Sequence, residues 1–203
     1  MRFKRFCSLS IAAAIGMSIL AGTAAAKETT TGVGFDFNQN DGGFTPIFSD
    51  YPNEQGVEEF YELRSGHEEV PVADAGKGLF LSGNNHSDDL FMGYFKELSG
   101  LAPETEYQFT VRFKLATNVE NDMIGIGGAP GGSVFVKCGV ASKEPENSLD
   151  SLNHFRLNID KGSQSQSGAD MTVVGTLAKE EINRPGEYEF NEIETKVIAR
   201  TDE

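Results

Sequence analysis

The sequence predicts an all-β protein, a single antiparallel β-sandwich, on three observations. Its 23 glycines and 7 prolines are spread along the 203 residues, and short runs rich in Phe, Val and Tyr lie between them. One run, residues 107–115, alternates strictly between apolar and polar side chains. No stretch keeps an apolar period of 3.6 residues over four turns, as a long amphipathic helix would. This pattern is typical of short strands joined by tight turns.

The strongest predicted strand is residues 107–115. Strict alternation places every second side chain on the same face of a sheet. One face should therefore be buried and the other exposed to water, as in an antiparallel sandwich. The apolar face consists of Tyr107, Phe109, Val111, Phe113 and Leu115.

Shorter runs predict the remaining strands. They are residues 33–37, 79–81, 90–95, 134–140, 155–159, 171–177, 188–190 and 193–199. In residues 134–140 the alternation puts Cys138 on an apolar face, which predicts that it lies in the core. Helices are expected only over residues 55–60 and 177–182.

The first 26 residues have the layout of a secretory signal peptide. Basic residues within 2–5 precede an apolar run over 6–21, and three alanines at 24–26 supply a cleavage site. A membrane-anchor helix is the weaker alternative, because the apolar run is short and ends in small residues. We therefore expect residues 27–203 to form the β-sandwich domain, secreted or periplasmic, with no membrane span after cleavage. Cys138 would then be the sole cysteine, without an internal disulfide partner.

The net charge of −14 is the wrong sign for a phosphate backbone, so the composition argues against nucleic-acid binding. A Gly-rich stretch at 125–133 fits neither a dinucleotide loop nor a P-loop, because Pro130 stands where the first motif needs Gly and no lysine follows for the second. The three histidines have no metal-ligand spacing.

The most polar loop, residues 83–89, lies between two apolar runs. Its Asn84, Asn85, His86 and Asp88 could converge on a ligand or a hard cation. The alternative is a turn in which the Asn and Asp side chains cap their own backbone. In a chain without Trp, the candidate aromatic platforms for a sugar are Tyr51, Tyr61 and Tyr94, the last on the strand that follows the loop. The alternative is a half-buried ring with its hydroxyl at the rim of the sandwich.

Residues 36–41 have the D-x-N-x-N spacing that opens an EF-hand loop, but two later positions exclude that motif. Gly42 falls at loop position seven instead of six, and Ile47 stands where the loop ends in Glu. Asp36 and Asp41 remain candidates for a different calcium site. The alternative is a strand end followed by an Asn/Gly turn.

Two resemblances meet at residues 99–113. Residues 100–107, GLAPETEY, resemble the L-x-P-x-T-x-Y stretch of fibronectin type III domains, in which the tyrosine forms a corner. The same segment is similar to strands of galactose-binding-like jelly rolls, the fold of many carbohydrate-binding modules. The wider block of residues 82–90, 115–118 and 125–131, together with 161–162 and 173–175, resembles an uncharacterised family of secreted bacterial proteins.

The family resemblance implies a jelly-roll sandwich of galactose-binding-like type and no established activity. It also implies a closing strand beyond Glu203, so we expect the domain to lack a C-terminal strand. One sheet edge would then be open to another chain.

These observations predict a non-catalytic binding or structural module of the envelope or extracellular space, with a glycan as ligand and a structural calcium. We assign no catalytic residue. One alternative is a glycan hydrolase that uses Asp88 and Asp89 with Glu68 or Glu69. Hydrolysis needs two carboxyls about 5–10 Å apart, and neighbouring strand residues point to opposite faces, so Asp88 and Asp89 alone would not suffice. A purely structural envelope protein is the other alternative.

Overall fold

A computed structural model describes residues 7–21, 29–87, 89–121, 123–125, 128–180 and 186–202. Within these ranges the chain is nearly all β, as predicted, with twelve strands and one short helix, α1 (Val57–Phe60). The strands are β1 (Cys7–Ala21), β2 (Thr29–Phe35), β3 (Thr45–Ser49), β4 (Arg64–Glu69), β5 (Lys77–Gly83), β6 (Phe91–Phe95), β7 (Glu106–Thr117), β8 (Phe135–Gly139), β9 (Asn147–Leu149), β10 (Phe155–Leu157), β11 (Met171–Thr176) and β12 (Glu189–Arg200).

The strands form one large sheet and three small ones, and every described strand pairing is antiparallel. The six-stranded sheet has the order β12-β7-β1-β5-β4, and β2 pairs with β1 beside β5. The three small sheets pair β3 with β6, β8 with β11, and β9 with β10. Over the described residues, no helix is both long and apolar enough to cross a membrane.

Strand β7 confirms the predicted alternation. All five of its large apolar side chains are buried, and Phe109 and Leu115 are only 1% and 0% exposed. On the other face Arg112 and Lys114 are exposed and pair with the glutamates directly opposite them on β12, Glu194 and Glu192. The period-2 geometry of a strand puts these two sets of side chains on opposite faces, and Thr110 and Ala116 on the second face are buried as well.

The apolar face of β7 packs against residues of its own sheet and of the β8–β11 pair. The core cluster joins it to Ile193 of β12 and Val136 of β8, with Val174 of β11 packed at the periphery. Cys138 of β8 also packs against this cluster, which agrees with its predicted position in the core. Burial raises the pKa of the Cys138 thiol to about 11.

The helix predicted for residues 177–182 is wrong for the part that the structure describes, residues 177–180. Buried Thr117 donates a 2.6 Å hydrogen bond to the Leu177 carbonyl, and buried Asn191 donates one of 2.7 Å to the Ala178 carbonyl. Side chains of β7 and β12 thus take backbone groups that a helix would pair internally, and tertiary contacts override the local pattern. The helix predicted over 55–60 is confirmed over its last four residues, as α1.

Residues 188–190 and 193–199, predicted as two strands, belong to the single strand β12 apart from Tyr188. The N-terminal apolar run forms β1, which lies between β5 and β7 in the large sheet. Cleavage after Ala26 stays a prediction, and it would remove the strand that holds these two neighbours together.

Candidate functional site

A large cavity lies between the six-stranded sheet and the smaller β3–β6 and β8–β11 pairs. Its volume is about 2340 Å³, more than the 300–1,000 Å³ of a usual small-molecule pocket. Buried apolar residues such as Leu79, Phe109 and Leu115 line one part. Asp50, Arg156 and Lys161 line another part, together with residues of the 83–89 loop. The cavity is thus apolar in one region and charged in another.

Asp50 is at the centre of the charged region. Its buried carboxylate accepts a 2.9 Å hydrogen bond from Arg156 Nη1 through Oδ1. Its Oδ2 lies 2.7 Å from Lys161 Nζ, close enough for an ion pair, although no described residue gives that oxygen a well-directed hydrogen bond. Two cations therefore compensate one buried carboxylate, which a buried charge requires.

The backbone of Asp50 is also unusual. Its φ is 62°, in the left-handed region that Asp tolerates better than most residues. Its N–H donates a 2.9 Å hydrogen bond to the Phe155 carbonyl, on the strand next to Arg156. Strained residues with buried charges concentrate at binding and catalytic sites, which makes Asp50 the strongest indication of a site in the described chain.

Arg156 also binds a second carboxylate. Its Nε donates a 2.9 Å hydrogen bond to Asp150 Oδ2, and Asp150 Oδ1 accepts the backbone N–H groups of Leu152 and His154. The N–H of His154 and then the Arg156 side chain hold the pKa of Asp150 down, to about 2. The ionised carboxylate of Asp150 thereby fixes the direction of the guanidinium toward Asp50.

Lys137 is close to Lys161. Its Nζ donates to the backbone carbonyls of Lys161, at 2.6 Å, and Gln166, at 2.9 Å. Burial, and then the positive charge of Lys161, lower the pKa of Lys137. We name Asp50, Asp150, Arg156 and Lys161 the Asp50 cluster. Lys137 is not a member, because its ammonium group donates its hydrogen bonds to backbone carbonyls.

The polar loop adjoins the Asp50 cluster. Ser87 Oγ donates a 3.1 Å hydrogen bond to the Asp50 carbonyl, and Gln164 Nε2 lies 3.4 Å from Asp89 Oδ1. Asn85 Oδ1 accepts the backbone N–H of Ser87 at 3.2 Å, as an Asn that caps its own turn does. For Asn85, the side-chain carbonyl therefore caps the backbone of its own turn, which was the alternative to a ligand-binding role. Asp88 lies outside the described residues.

An aromatic pair stands at the edge of the same loop. The rings of Phe60 and His86 are stacked, with centroids 4.1 Å apart and planes inclined by 23°. Phe60 is 61% exposed, and both residues line the cavity. Phe60 was not predicted as a site residue; the signal for it is a lone large aromatic at the end of a short acidic helix, where no apolar face explains it.

Tyr94 also lines the cavity, but its hydroxyl is occupied. It accepts the N–H of Gly66 at 3.1 Å and lies within 3.1 Å of the carbonyls of Gly66 and Phe80. Burial raises the pKa of Tyr94. Tyr94 therefore joins β6 to the large sheet through backbone groups, and only its ring can face a ligand.

The candidate calcium ligands Asp36 and Asp41 form turns. Asp36 accepts the N–H of Asn38 and the side-chain amide of Gln39, both at 3.0 Å. Asp41 accepts the N–H of Gly43 at 2.8 Å. Among the described residues, no three His, Cys, Asp or Glu side chains are grouped to hold a metal. A calcium site here stays a proposal that would need backbone carbonyls or water as further ligands.

The carboxylates considered for hydrolysis are not brought together in the described part of the chain. Asp89 lines the cavity, whereas Glu68, on β4, pairs with Arg64 at 3.6 Å on an exposed surface and is not among the lining residues. The structure instead groups Asn84, Asn85, His86 and Tyr94 around one cavity, with Phe60 and the Asp50 cluster in addition.

Comparison with known proteins adds no relative: no protein-family model, curated protein or solved structure matches this chain. The resemblance to a secreted bacterial family stays a prediction.

Proposed function

We propose that the protein is an exported, non-catalytic binding module that holds a glycan at the rim of its cavity. The observation that carries the proposal is the exposed Phe60 ring stacked on His86, at a cavity that Asn84, Asp89 and Gln164 also line. An exposed aromatic face in a cavity that also offers amides and a carboxylate suits a sugar, which has an apolar face and a ring of hydroxyls.

The charges of the site favour a neutral glycan. In the Asp50 cluster each ion is paired with an opposite charge within 2.9 Å, so the cluster offers little free charge to an ionic ligand. In this proposal the Asp50 cluster fixes the cavity wall, and the hydrogen bond from Ser87 to the Asp50 carbonyl holds the polar loop against that wall. Hydroxyl groups would instead meet the amides of Asn84 and Gln164.

The architecture proposed for the module is a jelly-roll β-sandwich. Its support is the core that joins β7 and β12 to β8 and β11 across two sheets. The burial of all five large apolar side chains on one face of β7 is the further support. A structural calcium near Asp36 and Asp41 belongs to the same proposal. A thermal-shift titration with Ca²⁺ against EDTA tests it, and an unchanged melting temperature would contradict the calcium site.

A glycan array tests the binding function. The wild-type chain should bind a set of related neutral glycans, and Phe60→Ala should lose at least tenfold in affinity for them. Leu152→Ala is the matched control, because Leu152 is 73% exposed and does not line the cavity. Binding to no glycan on the array would contradict the proposal and favour a structural envelope protein. An equal loss of affinity in both variants would mean that the glycan does not bind at Phe60.

A further inference from the structure

Strand β1 is paired on both edges in the middle of the large sheet. On one edge Cys7–Ala12 pairs with β5 and the following part pairs with β2; on the other edge β1 pairs with β7. At Ile11 the pairing is double, to Leu79 on one side and to Leu115 on the other. This same segment is the apolar part of the predicted signal peptide.

Removal of residues 1–26 would therefore open a slot one strand wide between β5 and β7. Adjacent strands lie about 4.8 Å apart, so the facing edges would be roughly 10 Å apart with unpaired N–H and C=O groups. Both β5 and β7 run antiparallel to β1, so they run in the same direction as each other. Direct closure would make a parallel pair in a protein whose described pairings are all antiparallel.

The same cleavage would free β2. In the described chain β2 pairs only with β1, and it would stand at the new N-terminus with just two residues before it. Its other end is anchored, since Phe35 packs on Phe44 with ring centroids 5.0 Å apart and Phe37 is completely buried. Because β2 runs opposite to β1, it runs in the same direction as β5 and β7. To fill the slot of its own chain in antiparallel register, β2 would have to turn by about 180° about its anchored end.

We propose that the processed protein fills this slot with the N-terminal strand β2 of a second copy of the chain. A strand from another molecule is free to enter in the antiparallel direction, and a two-fold arrangement lets each copy supply one strand and accept one. The sequence of β2, TTTGVGF, is rich in β-branched residues and suits an inserted strand. Removal of the leader would then convert a monomer into a strand-exchanged dimer. The proposal rests on the predicted cleavage and is independent of the glycan site.

The test uses the full chain, refolded with a protease recognition sequence inserted between Ala26 and Lys27. Light scattering follows the mass before and after cutting, and mass spectrometry follows release of the leader. We expect a monomer before cutting and a dimer after it. A synthetic peptide of residues 8–21, added in tenfold excess, should return the dimer to monomer, whereas the same peptide with prolines at alternate positions should not.

A second variant identifies the donor strand. Thr31→Pro in β2 should abolish dimer formation after cutting but leave peptide binding intact, because proline cannot donate to a ladder. A cut chain that stays monomeric, with the leader either released or retained, would overturn the proposal. So would a dimer that ignores the peptide, or one that tolerates Thr31→Pro. Glycan binding, measured separately on the uncut chain, reports on the rim site alone.

Discussion

The Asp50 carboxylate and the Arg156 guanidinium are 2.9 Å apart, although 106 residues separate them in the chain. The pair joins the end of β3 to β10, and Lys161 adds a second cation at 2.7 Å. Buried pairs of this kind cost desolvation energy, so they specify an arrangement more than they stabilise it. Here the arrangement that is specified is the charged wall of the cavity.

Asp50→Asn should destabilise the protein substantially. It leaves Lys161 without its counter-charge, whereas Arg156 keeps its ion pair with Asp150. Breaking a fully buried pair costs about 3–5 kcal/mol, which is the upper bound for this substitution. Glu192→Gln is the matched control, because Glu192 pairs with Lys114 on an exposed surface, where a pair contributes about 0–1 kcal/mol. Urea denaturation of both variants measures the free energies of unfolding, and equal losses would contradict the assigned role of Asp50.

Acid should loosen the turn around Asp150. The folded-state pKa of Asp150 is lowered from 3.8 to about 2, so its stabilisation is present above about pH 4 and is lost as the pH falls toward 2. The His154 amide donates a hydrogen bond to Asp150. Its hydrogen exchange should therefore accelerate, relative to its intrinsic rate, as the pH falls over this range.

Asp150→Asn is the reference variant for this effect, since its side chain does not titrate. The difference in unfolding free energy between wild type and variant should be largest near neutral pH and shrink below pH 4. A difference that stays constant down to pH 2 would contradict the lowered pKa.

Phe109→Ala should be among the most destabilising single substitutions in the core. Phe109 is 1% exposed at the middle of β7, and removal of a buried Phe side chain costs about 3–5 kcal/mol. Ile198→Ala on β12 is the control, because Ile198 is 62% exposed and should cost less than about 0.5 kcal/mol. Comparable effects of the two variants would mean that β7 does not face the core as described.

Cys138 should react slowly with alkylating reagents in the folded protein. With a thiol pKa of about 11, only about one molecule in a thousand carries the thiolate at pH 8, and the side chain is packed against the core. Iodoacetamide labelling should therefore be at least about a hundredfold slower than in urea, where the thiol is exposed. Rapid labelling of the native state would contradict the position of Cys138.

The sequence was most informative where local pattern and tertiary packing agree. Alternation over residues 107–115 predicted both β7 and its buried face, and the resemblance of residues 100–107 to a fibronectin type III stretch implied a tyrosine corner. The structure has that bond: the Ala102 N–H donates to the Tyr107 hydroxyl at 2.8 Å. Local alternation determines the buried face, so it could be predicted from the residues alone.

Other features depend on partners far away in the chain. Strands β3 and β4 carry Pro, Gly or charged residues, so their composition does not predict a strand. They are held by pairing, β3 with β6 and β4 with β5. The Asp50 cluster brings together residues 50, 150, 156 and 161, and Phe60 gains its role only by stacking on His86. The polar loop was recognisable because its residues are consecutive.

The most direct test of the binding function is an NMR titration of the full chain with a glycan selected on the array. We expect the side-chain amide signals of Asn84 and Gln164, and the ring signals of Phe60 and His86, to shift together with saturation, while those of Asn118 and Asn147 stay in place. Shifts confined to residues outside the cavity rim, with these four side chains unmoved, would contradict the account.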